Sequence, residues 1–232
     1  MKPQRHIKTA STAILVFALS AEEETKHKSI FDGGRLFEAL TAHTLAEVKK
    51  TGLPHYLFTE KEQRGNSFGE RFAHAIQSLF DLGHDKVITV GNDSPQLKAR
   101  HLLAAKDCLD GGKNVLGPSN DGGFYLMGIQ HCAFDSKTFS KLPWQTRNAY
   151  RETLFYFDRK GVDHVSLCAL TDIDSLVDVT VLAYSIKSIS RAMRHLLASF
   201  IQIENVFLYF LKKIIPIGTG VYHNKGSPLV GV

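Results

Sequence analysis

Apolar runs of strand length alternate with stretches of helical periodicity along most of this chain, and that alternation leaves little choice of architecture. Parallel strands need a crossover between neighbours, and helical crossovers cover both faces of the sheet. Thr12 to Ala18, Tyr56 to Phe58 and Val87 to Val90 read as strands. Between them Leu36, Phe37, Leu40, Leu45 and Val48 recur at helical spacing until Gly52-Leu53-Pro54 stops the helix, and Phe68, Phe72, Ala75, Ile76, Leu79 and Phe80 mark the next one. Ser94-Pro95 reads as an N-cap with proline at the first helical position, opening a helix that runs to about Leu109. Val115-Leu116 and Phe124 to Met127 are short strands, a helix follows from about Asn148 to Arg159, and His164 to Leu167 is a last strand. The prediction is a three-layer α/β/α sandwich around a mostly parallel sheet over residues 1–185, an amphipathic helical appendage over 186–215, and a tail over 216–232.

Composition narrows the class. At 232 residues and 44% hydrophobic, the chain can bury the core of one α/β domain. A net charge of +5 suits anionic partners, but the basic residues are scattered, so nucleic acid is not the expected partner. Cys108, Cys132 and Cys168 are odd in number and far apart, which points to reduced thiols in the cytoplasm. Behind Lys2, Arg5 and Lys8, the apolar stretch Ala13 to Leu19 is short and runs into Glu22-Glu23-Glu24, as a strand would and a signal peptide would not. In the appendage Ile189, Met193, Leu196, Leu197, Phe200, Ile203, Phe207, Phe210, Leu211 and Ile214 keep helical spacing, while Gln202, Glu204 and Asn205 interrupt the run. That falls short of the roughly 20 residues a span requires. Packing on the domain or in a homodimer is the expected use, with peripheral membrane contact as the other reading.

Acidic residues recur just past the ends of these strands. Asp93 lies in Gly91-Asn92-Asp93-Ser94-Pro95, Asp121 in Pro118-Ser119-Asn120-Asp121-Gly122-Gly123, and Asp172 and Asp174 flank Ile173. Open α/β sheets bind ligands at the carboxyl ends of their strands, so these loops predict one rim that holds a metal and a phosphorylated substrate. Mg²⁺ and Mn²⁺ prefer carboxylate and phosphate oxygens, and residues two apart in extended backbone point to the same side. Spacing alone leaves bland readings open: Asp93 as a turn acid, Asp172 and Asp174 as a solvated loop, Asp121-Gly122 as a hairpin turn, Trp144 as core, Arg71 as a solvated arginine. The functional readings put Asn92, Ser94, Ser119, Gly122 and Gly123 against the substrate, Trp144 on an acceptor pocket and Arg71 on a phosphate.

GNDSP, LGPSNDGGFYLMG, LPWQT and TDID, in this order and at these separations, resemble the GT-A-like family of glycosyltransferases related to CofC-type nucleotidyltransferases. The resemblance extends over residues 12–178, and GNSFGERF at 65–72 is similar to that family's helix-opening motif. It implies a nucleotide-diphospho-sugar transferase fold, a nucleotide or nucleotide-sugar donor, a small-molecule acceptor, and Mg²⁺ or Mn²⁺ on Asp93 with Asp172 and Asp174. Asp121 is then the candidate catalytic residue. One departure stands out. The family carries a basic, glycine-containing loop ending in Lys-Thr-Arg-Leu after the first strand, whereas this chain has Leu19 to Lys28, with Lys26 and Lys28 left to reach phosphates beside three glutamates that repel them. Two functions remain: a metal-dependent transferase, or a catalytically inactive scaffold associating through its last helix.

Overall fold

The computed structural model describes residues 11–28, 30, 33–184 and 189–214, with side chains described to residue 202. Along the chain run β1 (Thr12–Phe17), α1 (Ala21–His27), α2 (Gly33–Lys49), β2 (His55–Phe58), α3 (Phe68–Asp81), β3 (Lys86–Val90), α4 (Ala99–Asp110), β4 (Asn114–Pro118), β5 (Phe124–Gln130), α5 (Ser136–Phe139), α6 (Ala149–Arg159), β6 (His164–Ser166), α7 (Leu176–Ala183) and α8 (Arg191–Ile214). The strands form one six-stranded sheet in the order β2-β1-β3-β5-β4-β6. Only β5 runs antiparallel to its neighbours, because the turn after β4 sends it straight back.

Alternation along β1 makes the sandwich. Ala13 and Leu15 face a core completed by Phe72, Ile76 and Leu79 of α3 and by Tyr156 and Phe157 of α6. Ile14 and Val16 face the opposite core with Leu102, Ala105 and Leu109 of α4. A third cluster joins Leu36, Phe37 and Leu40 of α2 to Val179 and Leu182 of α7 and to Met193, Leu197 and Phe200 at the start of α8. The described half of the last helix thus packs on its own domain. Among the described residues no helix is long and apolar enough to cross a membrane. The expected tail and the apolar side chains from Ile203 to Ile214 lie outside the described residues, as does the expected boundary at 185–186.

Two local expectations fail. Ser94 does not cap a helix: α4 begins at Ala99, whose amide donates to Glu47 of α2 at 2.8 Å. The Ser94 hydroxyl donates instead to Asp172, far along the chain, and a competing tertiary bond displaces a cap. Leu19 to Lys28 is not an open loop, because residues 21–27 are helical. Ser20 caps that helix by accepting from the Glu23 amide, Glu22 to Glu24 fill its first turn, and Lys26 and His27 its last. Each sign of charge sits at the end of the helix dipole that favours it.

Candidate functional site

Three backbone-anchored loops meet above the sheet. The Ile173 amide donates to the Asp93 carbonyl at 2.9 Å, the Thr171 amide to Gln96 Oε1 at 2.7 Å, and the Asn120 amide to the Leu170 carbonyl at 3.2 Å. Ile173 is fully buried, so Asp172 and Asp174 on either side of it are turned toward the rim. The rim opens into two adjoining lobes that share Phe17, Phe68, Gly91, Asp93 and Gln145. One lobe is aromatic and also takes in Asp121 and Asp172; the other is polar and takes in Glu24, Lys28, Arg71, Asn92 and Asp174. Asp93 stands where they join.

Lys28 organises the polar lobe. Its ammonium reaches Asp174 at 2.8 Å, Asp93 at 2.9 Å, the Ile173 carbonyl at 2.9 Å and Glu24 at 3.1 Å. Burial opposes its charge, but Asp93, Glu24 and Asp174 prevail and hold the ammonium protonated well above the ordinary lysine range. Burial also raises the Glu24 pKa, and Lys28 offsets part of that rise.

Asp172 belongs to the aromatic side. Burial, then the neighbouring Asp93 charge, pushes its carboxyl up to about 7, against the Ser94 hydroxyl that favours the ionised form. The Ser119 hydroxyl is close enough to pull in the same direction as Ser94, yet it has no partner in hydrogen-bonding geometry. A pH dependence follows. Because the folded value lies above the ordinary 3.8, ionising Asp172 opposes folding, and its contribution worsens as pH climbs from about 4 to about 7. Asp172→Asn should therefore gain thermal stability on the parent across that window. A melting-temperature difference that stays flat with pH would show that the carboxyl is not shifted.

The other sequence candidates divide. Asn92 is buried and donates to Thr41 at 2.9 Å, which makes it a brace for the Asp93 loop. Lys26 pairs with Glu23 at 2.6 Å on the exposed surface of α1 and lines neither lobe. Glu22 lines neither lobe, while Glu23 and Glu24 line the polar one with cationic partners of their own. Asp121-Gly122-Gly123 is a hairpin turn between β4 and β5, with Asp121 accepting from the Gly123 amide at 2.9 Å, and Ser119, Asp121 and Gly123 also line the aromatic lobe. Gly122 is required there. At φ 95° it meets the Arg147 carbonyl so closely that a Cβ would lie 2.2 Å from the oxygen. Trp144 is both packed and lining: its indole N–H donates to the Phe139 carbonyl at 3.0 Å, and its ring lies against Phe68, Phe72 and Phe124. Gln63 and Phe17 were not singled out from sequence, and Glu24 was read as one of three glutamates that repel phosphates, not as a partner of Lys28. For Glu24 a signal existed, its i,i+4 spacing to Lys28.

The donor set accepts a dication only in company. Among the described residues no group of three or more acids, histidines or cysteines is arranged to hold a metal. Lys28 pairs with both Asp93 and Asp174, and Asp172 lies close enough to Asp93 to feel its charge, so Asp93 and Asp172 form the pair that spans the two lobes. Two carboxylates fit Mg²⁺ or Mn²⁺ when substrate phosphates supply the remaining ligands.

Residues 33–146 match the model of a family described as "Uncharacterized protein conserved in bacteria (DUF2064)". The matched stretch carries Asp93, Asp121 and Trp144, while Lys28 and Asp172 lie outside it. No curated protein matches the chain. Among solved structures, a protein of Desulfovibrio desulfuricans G20 named a "putative nucleotide-diphospho-sugar transferase" is similar at 21% identity and a TM-score of 0.72, covering 86% of this chain and 97% of that one. Rv0371c of Mycobacterium tuberculosis H37Rv is similar at 13% identity and a TM-score of 0.52, covering 75% and 98%. At such identities the likeness shows the fold, which is that of nucleotide-diphospho-sugar transferases.

Proposed function

We propose that this chain transfers a glycosyl or nucleotidyl group from a nucleotide-activated donor to a small-molecule acceptor, with Mg²⁺ or Mn²⁺ on Asp93 and Asp172. The observation that carries this reading is the position of Asp93, between a polar and an aromatic lobe at the carboxyl end of β3. A reaction between two substrates needs two adjoining subsites, and in sheets of this kind the strand ends are where they lie. The donor's phosphates belong in the polar lobe, with Lys28 and Arg71; the acceptor belongs in the aromatic lobe, with Asp121 within it to accept the hydroxyl proton as the acceptor oxygen displaces the diphosphate or pyrophosphate. The cation, when bound, neutralises charge on the departing phosphates. Free thiols at Cys108, Cys132 and Cys168 suit work in the cytoplasm.

Charge makes the test sharp. Glu24, Asp93 and Asp174 surround a single ammonium, so a free polyanion is repelled. One uncompensated pair about 6 Å apart costs roughly 3 kcal/mol at an effective dielectric near 20. Calorimetric titration with UDP, GDP and CTP should find binding that requires Mn²⁺ and disappears in Asp93→Asn. If none of these nucleotides binds with or without Mn²⁺, the transferase reading fails and the scaffold reading takes its place.

A further inference from the structure

Phe17, Phe68, Phe72, Phe124 and Trp144 line the aromatic lobe, and their rings pack on one another, three pairs edge to face and three tilted. Phe17 and Phe68 stand 5.7 Å apart at 87°, Phe72 and Trp144 5.4 Å apart at 90°, and Phe124 and Trp144 6.0 Å apart at 76°. The indole N–H of Trp144 is committed to the Phe139 carbonyl, so this wall presents carbon alone. The lobe's polar groups include Ser119, Asp121 and Asp172. Asp121 is exposed, whereas Asp172 is half-buried and already accepts from the Ser94 hydroxyl.

We infer that the aromatic lobe binds a monohydroxylated aromatic compound, a phenol or benzylic alcohol, with its ring among the five aromatic side chains and its hydroxyl at Asp121. This names the acceptor class of the transferase and rests on that reading for the word acceptor. A sugar hydroxyl turned toward these five rings loses water and finds no partner on the wall. A saturated ring fills the space without the ring–ring contacts that an arene makes with the wall. Size agrees: an apolar cavity of about 150 Å³ holds benzene, and the 420 Å³ of this lobe admits a substituted or fused ring.

Trp144 is the only tryptophan in the chain, so its emission reports on this lobe without labelling. The full chain is titrated with p-cresol, cyclohexanol and glucose, exciting the indole beyond the phenol absorption edge. The expected result is saturable binding of p-cresol, about tenfold tighter than cyclohexanol, and no response to glucose. Phe68→Leu, which keeps the site apolar and removes one ring, should lower p-cresol affinity and leave cyclohexanol unchanged. Equal affinity for the two ring compounds, preference for glucose, or no saturation with any of them would overturn the inference. A separate titration with Mn²⁺ and nucleotides distinguishes the two levels. Nucleotide binding without p-cresol binding sinks the aromatic acceptor alone, whereas p-cresol binding without nucleotide binding overturns the acceptor role.

Discussion

Lys28→Met should melt well below the parent, by roughly 5–10 °C. Removing the ammonium leaves Glu24, Asp93 and Asp174 facing one another without a counter-charge and orphans the Ile173 carbonyl. Losing one partner of a fully buried pair costs about 3–5 kcal/mol; because the Asp93 side chain is 27% and that of Asp174 54% exposed, about 2–3 kcal/mol is the better expectation. The sign is settled at neutral pH. A lysine whose folded pKa is raised contributes its full stabilisation below the unfolded value and loses it only in strong alkali. The variant should also acquire affinity for Mn²⁺ without nucleotide, since three carboxylates freed from their lysine suit a hard cation, and Mn²⁺ should recover part of the lost stability. A variant melting within about 2 °C of the parent and indifferent to Mn²⁺ would show that Lys28 does not hold the polar lobe together.

Gly69→Ala sets two effects of opposite sign against each other. Alanine gains up to about 1 kcal/mol over glycine in a helix interior and less in the first turn, where Gly69 lies. At Gly69, however, a Cβ would lie 2.0 Å from the Ser140 carbonyl oxygen and 2.5 Å from Trp144 Cδ1, so backbone must move. Forced overpacking of this kind costs typically 1–3 kcal/mol, more when the obstacle is main chain, and we expect a net loss of about 2 kcal/mol, or roughly 4–8 °C. The indole is displaced with it, and its emission should shift before any unfolding. A rise in melting temperature would mean that helix propensity wins and that Trp144 is not held against α3.

How much of this was legible depended on where each determinant sits. Continuous apolar runs such as Val87 to Val90 declare a strand because both faces of the sheet are covered, and Asp93 just beyond them was readable as a rim residue on the same ground. Helix α1 was not readable from periodicity, because Ala21 to His27 has no apolar stripe; its cap, its end charges and the Glu24–Lys28 pair make it. Ser94-Pro95 misled for the opposite reason. It satisfies a local capping rule, but the Ser94 hydroxyl answers to Asp172, 78 residues away. Asp172 and Asp174 were predicted as a pair, and only tertiary structure reveals that Asp174 shares Lys28 with Asp93 while Asp172 faces the aromatic lobe on the other side of Asp93. Phe68 and Phe72 read as one core stripe, since sequence cannot separate a ring that fills the core from one that lines a cavity above it.

The central claim is that Asp93 and Asp172 take a dication together with the donor's phosphates. Anomalous scattering from crystals grown with Mn²⁺ and a nucleoside diphosphate tests it most directly. The account predicts one manganese peak bonded to carboxylate oxygens of Asp93 and Asp172, with the diphosphate extending into the polar lobe toward Lys28. A nucleotide bound with no manganese on either carboxylate, or a manganese held elsewhere, would contradict it.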